Sequence, residues 1–380
     1  MKGASTMRIC IVSPNKNAYS ETFIKAHIEH LDHVVDVLYG GHLPTHVLEN
    51  DQPLLAANFS EKAKRALASK VGGKSLEDLQ RRAILSRLKD QKIDIVLAEY
   101  GPTGAELLPI CALAGIPLIV HFHGVDAYHS DILKKYGNAY KAIFEQCSAV
   151  IAVSRHMERQ LIEVGANKDN LVFNSYGVDT DLFNGGDPVA AGPNFIGIGR
   201  FTEKKAPYLT ILAFAKALKE IPKARLTLIG DGPLLDPCRN IIKALHLEEQ
   251  IDLPGVLPPE EVVARSKKAR AFVQHSLVPS NNDHEGTPLA VIEACSTGLP
   301  VISTEHAGIP DVVEHGITGL LCAENDMEKM AENMILLARD PELAGRMGAA
   351  ARERALEMFT IEKSISALQN ILQNAVNATQ

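Results

Sequence analysis

Residues 195–230 read FIGIGRFTEKKAPYLTILAFAKALKEIPKARLTLIG, in which two short apolar runs flank a segment of helical length. The same alternation continues in this half of the chain with further short runs: IDLPG (251–255), RAFVQH (270–275), PVIST (300–304) and TGLLC (318–322). Buried strands of a parallel sheet have this composition, because helices cover both faces of such a sheet. The pattern therefore predicts a parallel sheet wrapped by helices.

The alternation also occurs earlier in the chain. Its runs there are RICIV (8–12), VVDVLY (34–39), IDIVLA (93–98), PLIVHF (117–122) and AVIAV (149–153). A chain of 380 residues is long enough for two domains. The stretch 176–194, rich in Gly, Asp, Asn and Pro, indicates a junction near residue 185. We expect an N-terminal domain over 1–185, a second over 186–360, and a helix over 361–380 that crosses back to the first.

Composition excludes several classes of protein. The apolar share of 46% argues against disorder, and a net charge of −7 argues against a nucleic-acid partner, which favours a basic surface. Six cysteines without a C-x-x-C pair are typical of reduced thiols. Because the start of the chain lacks a signal-peptide pattern and no run is long enough to span a bilayer, we expect a cytoplasmic protein.

Two doubly wound domains are expected to face each other across a cleft, with ligands at the carboxyl ends of the strands. A nicotinamide or flavin enzyme would carry G-x-G-x-x-G after its first strand. No glycine occurs between Gly3 and Gly40, and Gly197-Ile198-Gly199 lacks the third glycine. The sequence therefore argues against a dinucleotide cofactor.

The segment HEGTPLAVIEA (284–294) has the composition of a helix start. Thr287 suits the N-cap and Pro288 the first helical position. Free amides at a helix start bind phosphate oxygens. Glu285 and Glu293 flank these amides, and carboxylates accept hydrogen bonds from sugar hydroxyls. A phosphate between two hydroxyl-rich groups describes a nucleotide-sugar; a capped helix with solvated glutamates is the alternative.

Cations for a diphosphate are available in GRFTEKKAP (199–207). Arg200 and Lys205 follow a predicted strand of the same domain, and both side chains complement phosphate. We expect Lys204 to be solvated.

These motifs resemble the retaining, nucleotide-sugar-dependent glycosyltransferases of family 4, which have the two-domain GT-B fold. The resemblance is most specific from Gly197 to Leu321. It rests on GRFTEKK, GDGPL (230–234), LPGVLPPEEV (253–262), the long segment 278–321 and the junction YGVDTDLF (176–183).

The resemblance implies a role for each matching position. Arg200 and Lys205 resemble the diphosphate-binding pair, Glu293 the ribose ligand and Glu285 the acceptor of hydrogen bonds from the donor sugar. The backbone of Gly286, Thr287, Pro288 and Leu289 would hold phosphate and sugar, and Leu257 with the turn Gly230–Gly232 would surround the base. Ala206 and Asp311 depart from the family pattern, which usually has glycine and glutamate there.

In the N-terminal half, SETFI (20–24) and HFHGVD (121–126) resemble the branch that builds colanic-acid-type exopolysaccharides. His121 and His123 are two residues apart, so their side chains point to the same side of an extended strand. His123 aligns with the family histidine near the donor sugar, and Asp126 would orient it. We expect His123 to position groups or handle protons.

The resemblance implies retaining transfer from a nucleoside-diphosphate sugar, with a UDP-sugar favoured, to a glycan, lipid-linked or small-molecule acceptor. Arg200, Lys205 and the helix start would stabilise the departing diphosphate, so the interpretation includes no metal and no cofactor beyond the donor co-substrate.

Other readings stay open at this point. A metal-dependent hydrolase would use the H-x-H pair with Asp126 and His129. Asp179-Thr180-Asp181 is the D-x-D pattern of a different glycosyltransferase fold. A non-catalytic nucleotide-sugar-binding protein and a GT-B epimerase are further alternatives.

Residues 60–92 carry ten basic and four acidic side chains, a local charge of +6 with interspersed leucines. Such a region can lie on anionic lipid, which predicts peripheral contact with the inner face of the membrane. A solvated helical face is the alternative.

Overall fold

A computed structural model describes residues 7–16, 18, 21–55 and 75–379. The chain forms two compact units. The first comprises Met1–Val153, Met157–Asn174 and Ile365–Gln380; the second comprises Ser154–His156 and Ser175–Ser364. The second unit therefore begins its long segment ten residues before the boundary that the sequence predicts near 185. Residues 361–364 of the last helix belong to the second unit and the rest to the first.

The first unit contains a seven-stranded sheet with the order β3-β2-β1-β4-β5-β6-β7. Its strands are β1 Ile9–Val12, β2 Val34–Tyr39, β3 His46–Val47, β4 Ile95–Glu99, β5 Leu118–His121, β6 Ala149–Ala152 and β7 Leu171–Phe173. All pairings are parallel except that of β2 with β3. Each apolar run predicted in this half is a strand, whereas β3 and β7 were missed.

The second unit contains a six-stranded parallel sheet with the order β10-β9-β8-β11-β12-β13. Its strands are β8 Asn194–Ile198, β9 Arg225–Ile229, β10 Ile251–Gly255, β11 Ala271–Val273, β12 Val301–Thr304 and β13 Gly319–Cys322. All six coincide with the predicted runs.

Helices connect the strands of both sheets. Those that begin before residue 170 are α1 Thr22–His30, α2 Leu76–Asp90, α3 Gly101–Ala114, α4 Val125–Tyr128, α5 Ser130–Gln146 and α6 Arg155–Glu163. The later ones are α7 Pro207–Ala217, α8 Leu235–Ala244, α9 Pro259–Ser266, α10 Leu289–Thr297, α11 Ile309–Val312, α12 Met327–Arg339, α13 Pro341–Met358 and α14 Ile361–Thr379, with a 3₁₀ turn at Glu203–Lys205.

In both sheets the strand order reverses direction at one point, between β1 and β4 in the first unit and between β8 and β11 in the second. Ligands of open parallel sheets bind outside the carboxyl ends of the strands at such a point. The loops that follow these four strands are therefore where a site is expected in each unit.

The interior of both sheets is apolar. Every residue of β1, β5 and β6 is buried, as is every residue of β12. All six cysteines are buried free thiols. Among the described residues, no helix is long and apolar enough to cross a membrane.

Candidate functional site

In the second unit, the loop after β8 packs against the turn after β9. The amide of Gly199 donates to the carbonyl of Ile229 at 2.9 Å, and that of Phe201 to the carbonyl of Asp231 at 2.9 Å. Gly230 has φ +143°, and a Cβ there would lie 1.9 Å from the carbonyl oxygen of Gly199. Only glycine permits this approach. The backbone thus fixes the direction of the loop that carries Arg200, whose exposed side chain contacts no acceptor among the described residues.

Lys205 ends the 3₁₀ turn, and its ammonium group lies at the point where the strand order reverses. Its Nζ is 3.0 Å from Oε1 of Glu285 and 3.3 Å from Oε1 of Gln274, which follows β11. The side chains of Lys205 and Glu285 are 15% and 7% exposed. Burial lowers the pKa of Lys205, and Glu285 opposes that shift. Burial would raise the pKa of Glu285, but Lys205, Lys204 and His306 together hold it below the ordinary value.

Lys204 contradicts the expectation of a solvated side chain. It is 8% exposed, and its Nζ lies 2.8 Å from Oδ1 of Asp283 and 3.2 Å from the carbonyl of His284. The 3₁₀ turn explains the error, because it directs two consecutive lysines into the protein. Ala206 then adopts the left-handed conformation, with φ +36°, at the position where the family usually has glycine.

The predicted helix start exists, but one residue later than expected. Pro288 is the N-cap of α10 and Leu289 its first residue, so Thr287 is not the cap. Pro288 has an extended ψ of 103°, and among the described residues no side chain forms a capping hydrogen bond at this helix start. The amides of Leu289 and Ala290 donate to no acceptor within the part of the chain that the structure describes. These two amides, at the positive end of the helix dipole, can therefore donate hydrogen bonds to an anion.

His306 fixes the segment before α10. Its Nε2 accepts from the amide of Glu285 at 3.2 Å, and its Nδ1 lies 2.7 Å from Oε1 of Glu324. Gly308 lies against this segment, since a Cβ there would be 2.0 Å from the carbonyl oxygen of Gly286. Asp311, the second departure from the family pattern, accepts from the amide of Arg155 at 2.6 Å.

Glu293 lies one helical turn after Leu289, on the same face of α10. Burial raises its pKa to about 7, and the positive charge of Lys205 opposes this shift. Lys205 thus acts on both Glu285 and Glu293. Leu257, also predicted near the site, is partly buried against the core that contains Ile229. The loops after β8 and β11 and the start of α10 thus carry cationic, anionic and free amide groups, a combination that suits a ligand with both phosphate and hydroxyl groups.

In the first unit, Asp126 contacts the backbone of His123 and not its ring. The carboxylate of Asp126 accepts from the backbone amides of Gly101, His123 and Gly124, each at 2.9 Å. Asp126 therefore holds the loop, while Glu99 contacts the His123 ring: its Oε2 lies 2.7 Å from Nε2. The expectation that Asp126 orients the His123 imidazole is therefore wrong, because the carboxylate that contacts this ring is that of Glu99.

The same contacts do not favour the alternative reading of a metal-dependent hydrolase that uses Asp126 and His129. Asp126 is committed to backbone amides, and Nδ1 of His129 accepts from the amide of Asp131. The described group with metal-ligand potential is instead His27, Glu99 and His121. Asp179 of the D-x-D pattern accepts from the amides of Asp181 and Leu182, so it caps a turn.

Comparison with known proteins identifies the family. Residues 189–354 match the model for glycosyl transferases group 1, and residues 25–182 match that for glycosyltransferase family 4. The colanic acid biosynthesis protein WcaL of Salmonella typhimurium is 30% identical over 286 residues, which cover 74% of this chain and 70% of that protein. The chain belongs to the family 4 glycosyltransferases.

Other relatives agree with this assignment. The amylovoran biosynthesis glycosyltransferase AmsK of Erwinia amylovora is 28% identical over 309 residues, which cover 80% of this chain and 76% of AmsK. Among solved structures, Anabaena HepE in complex with UDP and glucose superposes with a TM-score of 0.76 at 18% identity, covering 97% of this chain and all of HepE. The glycosyltransferase thus has a GT-B fold with two parallel-sheet domains.

Sequence reasoning missed several residues of these two regions. Glu99 and His27 were not identified, although a single carboxylate that ends an apolar run, as in IDIVLAE, is a usable signal. Gln274 and His306 were also missed, because the partner of each, Lys205 and Glu285 respectively, is distant in the sequence.

The raised pKa of Glu293 predicts a pH-dependent gain in stability for Glu293→Gln. In the unfolded chain this carboxyl ionises near its ordinary pKa of about 4.3, whereas in the folded protein it ionises at about 7. Ionisation therefore destabilises the folded state strongly at pH 8 and little near pH 4, below the unfolded-state pKa, where both states are largely protonated. Thermal unfolding should show a higher Tm for Glu293→Gln at pH 8, with the gain shrinking as the pH falls.

Glu353→Gln is the matched control, since Glu353 is exposed on α13 and should show no such trend. An equal Tm difference at both pH values for Glu293→Gln would mean that the pKa of Glu293 is the same in the folded and unfolded states, which would contradict this prediction.

Proposed function

We propose that this glycosyltransferase moves a sugar from a nucleoside-diphosphate sugar, with a UDP-sugar favoured, to a glycan, lipid-linked or small-molecule acceptor, with retention of anomeric configuration. The observation that carries the proposal is the uncapped start of α10 beside the buried pair of Lys205 and Glu285. An uncapped helix start suits phosphate, and a buried carboxylate beside it suits sugar hydroxyls.

The pyrophosphate of the donor would lie against the first amides of α10, with Arg200 and Lys205 as its cations. As the nucleoside diphosphate departs, negative charge grows on its oxygens, and preorganised donors stabilise that charge. Because these cations and the helix dipole supply the positive charge, the proposed reaction needs no metal. Glu293 would accept from the ribose, and Glu285 from the sugar hydroxyls.

The nature of the donor and acceptor is supported by similar proteins. HepE was solved with UDP and glucose, and WcaL and AmsK are named for colanic acid and amylovoran biosynthesis. These names favour a UDP-sugar and a glycan acceptor for the present chain. The metal-dependent hydrolase is not favoured, because Asp126 and His129 are engaged by backbone amides. A non-catalytic nucleotide-sugar-binding protein is not favoured either, because the similar proteins carry glycosyltransferase names.

Replacement of Arg200 by alanine is expected to slow sugar transfer about 100- to 1,000-fold, because loss of one preorganised contact costs roughly 2.7 to 4 kcal/mol of barrier. Arg200 is exposed, so the Tm should not change. Lys205→Ala should slow transfer similarly, but it should also lower the Tm, since it leaves Glu285 buried without its cation. Nucleotide release from a panel of UDP- and GDP-sugars measures the rate.

Arg225→Ala is the control, because Arg225 is exposed at the amino end of β9, the opposite edge of the sheet. Transfer by Arg200→Ala at the parent rate would refute the proposed diphosphate contact.

We further propose peripheral contact with an anionic membrane through residues 60–92, of which 60–74 lie outside the described residues. Within α2, Arg81 pairs with Glu106, and Arg87 donates to Asp36 at 2.6 and 2.9 Å, so these two arginines are engaged by the protein itself. Arg82 and Lys89 are exposed on the same helix. They are the exposed cations of α2 and are available to lipid phosphate, as is Lys92 just after this helix.

The double substitution Arg82→Glu with Lys89→Glu is expected to reduce flotation with phosphatidylserine vesicles, since each basic residue near an anionic surface contributes about 1 kcal/mol. The same change at the exposed Lys219 and Lys243 of the second unit should leave flotation unchanged. Equal flotation of both double variants would argue against α2 as the contact.

A further inference from the structure

A buried carboxylate in the first unit is held by two imidazoles. Glu99 is the last residue of β4 and is fully inaccessible to solvent. Its Oε1 lies 2.8 Å from Nδ1 of His27, on α1, and its Oε2 lies 2.7 Å from Nε2 of His123, which follows β5. Among the described residues, no lysine or arginine forms an ion pair with Glu99. The two imidazoles are therefore its partners in place of a cation.

The spacing of these atoms indicates shared hydrogens rather than a shared metal ion. Zinc ligands lie about 2.0 to 2.1 Å from the ion, which places two ligand atoms of a tetrahedral site roughly 3.3 Å apart. Both nitrogen to oxygen distances at Glu99 are instead those of charge-assisted hydrogen bonds. His121 lies near the group, with its Nδ1 3.7 Å from Oε2, but does not approach to that distance.

The hydrogen bonds determine where the hydrogens are. An ionised carboxylate only accepts, so Nδ1 of His27 and Nε2 of His123 must both carry a hydrogen. Burial opposes the charge on Glu99, but His27 and His123 outweigh it and hold the pKa of Glu99 well below its usual range. A neutral His123 is then the Nε2–H tautomer, and its lone pair lies on Nδ1.

Packing fixes the plane of the His123 ring. Phe23 stacks on it with ring centroids 4.5 Å apart, and Tyr100 meets it edge-on at 4.6 Å. Tyr100 directly follows Glu99 and has φ +75°, a conformation that is unfavourable for a bulky residue. Such strain persists where the surroundings impose it, and it concentrates at functional sites.

We propose that Glu99 is a positioning residue of the transfer reaction, which fixes the tautomer and orientation of His123, and that His27 holds Glu99 in place as the second donor. This inference rests on the proposed function and on the expectation from the family resemblance that His123 positions groups or handles protons in the transfer. The arrangement repeats the logic of a carboxylate that orients a catalytic imidazole. It also gives a role to α1, which supplies both His27 and the stacking ring of Phe23.

The test is Glu99→Gln, assayed by nucleotide release from UDP-glucose, UDP-galactose, UDP-N-acetylglucosamine and GDP-mannose. The two imidazoles contact different oxygens of Glu99, and in glutamine one of these oxygens is replaced by an NH2 donor, which cannot accept a hydrogen bond. We expect kcat to fall about 100-fold, since loss of an orienting carboxylate costs from about 10-fold to 10⁴-fold. KM for the donor should stay within about threefold, because the proposed diphosphate contacts are in the second unit.

A double-mutant cycle separates positioning from a structural role. If Glu99 acts through His123, then Glu99→Gln should change kcat less than threefold in a His123→Ala background. Full addition of the two losses would overturn the inference. Asp36→Asn is the control for loss of a buried carboxylate: Asp36 is 5% exposed and paired with Arg87, so this variant should lower the Tm and leave kcat unchanged.

His27 provides a second test should Glu99→Gln not fold. Asn can place a hydrogen-bond donor near the position of Nδ1, whereas Leu cannot. We therefore expect His27→Asn to retain kcat within about threefold and His27→Leu to lower kcat at least about 30-fold. Equal rates for these two variants would overturn the inference. Failure of the parent chain to release nucleotide from any of the four donors would instead overturn the proposed function.

Discussion

The buried ion pair of Lys205 and Glu285 is the interaction on which the second unit's site depends. Neither charge could remain in this setting without the other, because desolvation of an unpaired ion costs several kcal/mol. The pair joins the 3₁₀ turn after β8 to the segment before α10, and thereby links the loop that carries Arg200 to the segment that leads into this helix. A charged ligand would meet groups that are already in position, which is the condition for electrostatic catalysis.

The first unit also has a buried carboxylate where its strand order reverses, and the partners of this carboxylate are imidazoles instead of an ammonium group. Glu99 ends β4 as Gln274 follows β11, so each unit places a polar side chain where the strand order reverses. The register of β4 with β5 pairs Glu99 with His121, which brings the H-x-H pair next to this carboxylate. Parallel strands thus collect chemically active groups at one edge without requiring them to be close in sequence.

The sequence predicted the strands well, because buried parallel strands are continuous apolar runs. The helix start at α10 was predicted to within one residue, since its Gly, Thr and Pro act locally. The burial of Lys204 and the partners of His123 were not predictable in this way. Each depends on an atom brought close by the fold: Asp283 lies 79 residues from Lys204, and Glu99 lies 24 from His123. Local sequence patterns predict helices and strands, whereas the partners of charged and polar side chains depend on which segments the fold brings together.

A crystal structure of the chain with UDP is the most direct test of the account. It predicts phosphate oxygens within hydrogen-bonding distance of the amides of Leu289 and Ala290 and of the Nζ of Lys205, with a ribose hydroxyl donating to Glu293. UDP bound away from the start of α10, or with its ribose remote from Glu293, would contradict the account.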